Sequence, residues 1–87
     1  MRVEVVRFAE VVERGIAAHD EDRGPTGWKG ASAWALFKRL EEEVAELRRA
    51  ILHACSPEII TSEAGDVGAL AMMIADVVGG LQHEEPS

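Results

Sequence analysis

The sequence has a single cysteine, Cys55, so no disulfide can form within the chain, and this cysteine usage fits a reducing compartment such as a cytoplasm. It has no apolar run of the roughly 18 residues that a membrane span needs. Glu4 and Glu10 interrupt the apolar pattern of its first residues, unlike a signal peptide. Basic residues are also scarce. Lys and Arg together number 9 against 16 acids, they form no run, and a formal charge of -7 with a pI near 4.8 argues against gripping a nucleic-acid backbone. The sequence has no Gly-rich phosphate loop, no G-x-S-x-G elbow and no Cys/His nucleophile arrangement. His19, His53 and His83 share no helical spacing with Cys55 or with one another that would make a zinc set, so they read as surface or capping histidines.

The 87 residues show no break in composition and read as one domain spanning 1–87, with 81–87 expected to be a flexible tail. Val5, Phe8, Val12 and Ile16 recur at spacings of three and four, which predicts an amphipathic helix over 3–18. HDEDRGPTGWKG follows, and its GP and TG turn signals predict a loop over 19–31, longer than a helical hairpin needs. Trp28 and Lys29 within it are candidates for ligand contact, or else an anchoring Trp beside a solvated Lys. Ser32 is placed to cap a second helix running to about Ala54, with Leu36, Leu40, Val44, Leu47 and Ile51 as its core seam. Ser56 and Pro57 open a third helix in a favoured way, with Val67, Ala71, Ile74 and Val78 as its seam. The expected fold class is therefore all-α, three main helices. Asp76 is the only charge between Val67 and Val78, so a lone chain is expected to leave Leu70, Met72, Met73 or Val77 exposed. That pattern predicts a homo-oligomeric bundle, with this helix at its centre.

Two acidic pairs stand at helical spacing, Glu43/Glu46 in EEVAEL and Glu63/Asp66 in SEAGDV. Residues three apart share a helix face, so each pair presents two carboxylates side by side. Taken singly, EEVAEL reads as a solvated face with Arg48 and Arg49 as partners. Glu63 and Asp66 are different, because they project from an apolar helix after which no Lys or Arg occurs. Packed together, the two helices would gather four carboxylates, an oxygen-ligand site suited to Mg2+ or Mn2+. Gly65 and Gly68 would permit the close helix contact that draws them together. Arg39 lies on the acidic side of its helix, placed for Glu42, Glu43 or an anionic ligand.

GWKG, KRLEEEVAELRRAI and SEAGDVGALAMMIADV together resemble the E-E-x-x-E and E-x-x-D signature of the MazG-like all-α nucleoside triphosphate pyrophosphohydrolases. Within that superfamily they are most similar to small phage-type members acting on dATP and dGTP. The likeness spans Gly27 to Val78. It implies Glu43, Glu46, Glu63 and Asp66 as ligands of two or three Mg2+ or Mn2+ ions, with Glu42 leading the motif. It also implies cleavage between the α and β phosphates, a helical homodimer or homotetramer, and the host cytoplasm if the chain is phage-encoded. Within such a mechanism Glu42 or Glu43 is the candidate to orient the attacking water. Trp28, Lys29, Arg39 and Asp76 are the candidates to contact substrate, Trp28 by stacking on the base and the cations on the phosphate tail. Two other readings compete: a non-enzymatic acidic helical oligomerisation module, and a metal-dependent phosphatase of another small phosphate ester.

Overall fold

The computed structural model describes residues 1–24 and 26–82, with the side chain of Arg23 excepted. Among the described residues the regular elements are all helical, in the order α1 (Val3–Ala17), α2 (Asp20–Arg23), a 3-10 turn (Gly27–Gly30), α3 (Ala33–Leu52) and α4 (Pro57–Val77). The three long helices match the three read from apolar periodicity. Within the expected loop, α2 and the 3-10 turn add two short helical pieces. Of the expected tail 81–87, residues 83–87 lie outside the described range. No helix among the described residues is long and apolar enough to cross a membrane.

The helix ends follow local chemistry. Ser32 Oγ accepts a hydrogen bond from the Ala35 N–H at 3.1 Å, and Ser56 Oγ accepts one from the Ile59 N–H at 3.3 Å ahead of Pro57. Each of α3 and α4 closes with a left-handed residue, Ala54 at φ 50 and Gly79 at φ 85. The following N–H groups, of Cys55 and Gly80, then return to the carbonyls of Ala50 and Ala75. Glycine suits that conformation, whereas Ala54 carries a cost of about 1–2 kcal/mol there.

The middle layer is α4, with α3 and α1 packed on it and hardly touching each other, in a slab of 49 × 31 × 23 Å. Its two neighbours explain where the expected seams shift. On α4 the buried residues are Gly65, Ala69 and Leu70, while Ala71 and Val78 of the expected seam are exposed. Leu70 is buried and Met72, Met73 and Val77 are half-buried within the single chain, rather than exposed as expected, because α1 and α3 take up two sides of α4. On α3 the covered line is Leu36, Leu40, Glu43, Leu47 and Ala50. Val44 and Ile51, expected in that seam, are 48% and 56% exposed. They continue the apolar arc beyond what α4 covers, together with Phe37 and Trp34, whose rings stack at 5.8 Å.

Close approach of α1 depends on two glycines of α4. A Cβ on Gly65 would stand 2.7 Å from Val11 Cγ1, and one on Gly68 would stand 2.7 Å from Phe8 Cε2. These glycines thus seat α1, whereas the sequence suggested that they join the acid-bearing helices. Alanine at an exposed helical position gains about 1 kcal/mol over glycine. Here the clash reverses the sign: Gly68→Ala is expected to destabilise by about 1–3 kcal/mol, read as a lower denaturation midpoint, and a raised midpoint would contradict the close packing.

Candidate metal centre

Because α1 seats on Gly65 and Gly68 while Glu63 reaches toward α3, the two packing directions on α4 lie about 160° apart. Asp66 falls between them, about 100° round from Gly65, and therefore faces the gap between α1 and α3. Glu43 comes from the covered line of α3. The result is one place where oxygens of Glu43, Glu63 and Asp66 lie within 4.8 Å of one another, all three residues half-buried. Gly15 of α1 backs the group, so close that a Cβ there would stand 3.5 Å from Asp66 Oδ1.

Three of the four carboxylates assigned as metal ligands thus meet. The fourth, Glu46, is not in the cluster; its side chain is half exposed and paired with Arg49, one turn further along α3. Glu42 is exposed and does not line the adjoining cavity. Burial lifts the Glu43 carboxyl above its ordinary range, with Asp66, Glu63 and Glu46 adding to the rise and Arg39 opposing it. Glu63 is lifted likewise, first by burial and then by Asp66 and Glu46, with Arg49 opposing. Hard oxygen donors, mutual repulsion and partial burial form a donor set that fits a divalent cation taking oxygen ligands.

A cavity of about 530 Å³ opens from Glu43 and Asp66. Ile16, Ala69, Leu70 and Met73 give it an apolar floor, and Arg39 is the Lys or Arg among its lining residues. The segment before α3 forms one wall through Gly24, Gly27, Trp28 and Ala31. Trp28 and Lys29 also fasten that wall. The Trp28 indole N–H donates to Asp76 Oδ2 at 2.9 Å and the Lys29 ammonium donates to the same oxygen at 2.7 Å. Among the described residues these are the only side-chain hydrogen bonds that join separate elements. Three of the four substrate-contact candidates therefore meet one another: Trp28 faces the cavity, while Lys29 and Asp76 neutralise each other behind it.

His19, read as an ordinary surface residue, lines the cavity beside Gly15 and Ile16. Periodicity offers no signal for this, because α1 approaches the acids through its small residues. The Asp76 contact left a trace in the sequence, a single charge on an apolar helix that called for a partner.

Two outcomes follow. In a Trp34→Phe background, where Trp28 is the only indole, Asp76→Ala is expected to shift tryptophan emission to longer wavelength as the wall detaches; unchanged emission would show that Asp76 does not hold it. The second concerns charge. The folded-state pKa values of Glu43 and Glu63 lie above the unfolded value of about 4.5. Their destabilising effect is therefore absent below that value, grows as pH rises through the window between the two, and is complete above the folded pKa. Without divalent ions, Glu43→Gln should melt at a higher temperature than the wild type near neutral pH, with the gain vanishing in acid; a gain independent of pH would point to packing instead. Compared with models of known protein families, with curated proteins and with solved structures, the chain matches none.

Proposed function

We propose that this chain hydrolyses nucleoside triphosphates between the α and β phosphates, releasing a monophosphate and pyrophosphate, with purine deoxynucleotides such as dATP and dGTP as substrates. The convergence of Glu43, Glu63 and Asp66, with Glu43 and Asp66 lining a cavity, carries this reading. The resemblance of their motifs to the MazG-like signature gives it its chemistry.

Glu43, Glu63 and Asp66 would hold Mg2+ or Mn2+. Glu46 would join them by releasing Arg49. When bound, the ions would supply positive charge that polarises the α-phosphoryl group, acidifies water and neutralises the leaving pyrophosphate. The reaction adds one water. Its oxygen bonds to the α-phosphorus, the bond from that phosphorus to the α–β bridging oxygen breaks, and the bridging oxygen leaves with pyrophosphate and the bonding electron pair. Of the two candidates to orient the water and accept its proton, Glu43 stands at the cavity and Glu42 stands outside it. Arg39 is placed to contact a phosphate oxygen, and Trp28 to stack on a base lying over Ile16, Leu70 and Met73. Asp76 and Lys29 act on the base indirectly, by holding Trp28 in position.

A second copy of the chain completes the proposal. A fold in which Trp34 and Leu52 are each 67% exposed, beside Phe37, Val44 and Ile51, leaves an apolar face on α3 that water solvates poorly. Light scattering is expected to give a dimer or tetramer mass. The mass of a single chain would remove this part of the proposal.

The activity itself is tested by incubating the protein with each nucleoside triphosphate and Mg2+ or Mn2+ and identifying the products. Pyrophosphate with a monophosphate is expected. Asp66→Asn should lose more than the roughly 10–100-fold that follows loss of an outer-shell partner. Orthophosphate as the product, or no turnover of any nucleotide, would overturn the assignment.

A further inference from the structure

A second cavity, also of about 530 Å³, lies on the other side of Asp66, between the C-terminal half of α1 and the N-terminal turns of α4. The helices part here because the close contacts of α1 fall at Phe8 and Val11, and beyond them small residues face each other. The two cavities share two lining residues, Gly15 and Asp66. Gly15 puts no side chain between the two spaces, and a Cβ there would stand 3.5 Å from Asp66 Oδ1.

Their linings differ in kind. The first offers an indole and an apolar floor, suited to a flat base. The second offers Arg14 with the hydroxyls of Thr61 and Ser62, and two acids, Glu58 and the shared Asp66. Among the described residues the Arg14 guanidinium enters no ion pair or hydrogen bond, and neither hydroxyl is engaged. A substrate cut at its α–β link has an aromatic end and a polyanionic end on opposite sides of the scissile bond. Asp66 of the acid cluster lines both spaces.

From this placement we infer that the substrate threads across Asp66, its nucleoside in the cavity walled by Trp28 and its β and γ phosphates in the cleft of Arg14, Thr61 and Ser62. Arg14 is the specificity residue for the polyphosphate end, and it distinguishes a triphosphate from a monophosphate. This assignment rests on the proposed pyrophosphohydrolase reading and adds a direction to it.

Calorimetric titration tests the direction without turnover. The full-length wild type, Arg14→Gln and Trp28→Ala are each titrated with inorganic pyrophosphate and with deoxyadenosine monophosphate, in the presence of Mg2+. Arg14→Gln is expected to weaken pyrophosphate binding about tenfold or more while changing monophosphate binding less than about twofold, the loss typical of a charged hydrogen bond. Trp28→Ala is expected to do the reverse, and Arg14→Lys to restore part of the pyrophosphate affinity. Arg14 is exposed, so melting of Arg14→Gln should match the wild type. Wild-type affinity of Arg14→Gln for pyrophosphate, an equal loss for both ligands, or no pyrophosphate binding by the wild type would overturn the threading. The product assay separates the two levels. If the wild type releases pyrophosphate from triphosphates and Arg14→Gln still binds pyrophosphate normally, the direction falls and the activity stands.

Discussion

Three carboxylates held within 4.8 Å of one another, each half-buried, impose the constraint on which the rest of this structure turns. Water screens like charges well on an open surface and poorly where protein excludes it. Burial is therefore the first cause of the raised pKa values of Glu43 and Glu63, with neighbouring acids adding to it. The nearby cations, Arg39 at Glu43 and Arg49 at Glu63, relieve the strain only in part. Arg49 is engaged by Glu46 and Lys29 by Asp76, and Arg39, although its charge opposes the rise of the Glu43 pKa, pairs with no acid among the described residues. Folding thus gathers carboxylates whose repulsion a cation of higher charge would offset.

The helix that carries two of these acids also organises the packing. Gly65 and Gly68 bring α1 against one side of α4, Leu70 and Ala69 are buried within the layer, and α3 covers the side of Glu63. Because α1 and α3 barely meet, the direction between them stays open, and Asp66 looks into it. Helical geometry thereby produces the acid cluster and the cavities beside it from one arrangement. The short segment before α3 closes one wall, and its polar attachment to Asp76 is set far along α4 from the acids. The wall attachment and the acid cluster are in this way separated along a single helix.

Much of the frame was legible in the sequence. The three long helices, their serine caps and the proline of α4 follow from periodicity and capping chemistry, and Glu63 and Asp66 stood out as acids on an apolar helix without a basic neighbour. The side on which each helix is covered was less legible. A wheel marks an apolar arc, but α3 has more apolar surface than α4 can cover, so Val44 and Ile51 read as core and are exposed. Glu43, read as one of an acidic pair, lies in the middle of the covered line, because α4 meets α3 along Leu36, Leu40, Leu47 and Ala50. Glu46 followed the milder reading of its motif, a solvated acid with Arg49 as partner. The cavity wall at His19, Gly24 and Ala31 had no signal at all, since small and exposed residues carry no periodicity.

The central claim is that the acid cluster is a cation site, and the most direct test is Mn2+ binding followed by electron paramagnetic resonance, where the signal of the free ion falls as it is bound. The wild type should remove Mn2+ from solution saturably, with Mg2+ competing, and Asp66→Asn should leave most of the ion free while keeping its helical spectrum. Equal uptake by Asp66→Asn and the wild type, or no uptake by either, would contradict the claim and return Glu43, Glu63 and Asp66 to the status of unpaired acids on a helical scaffold.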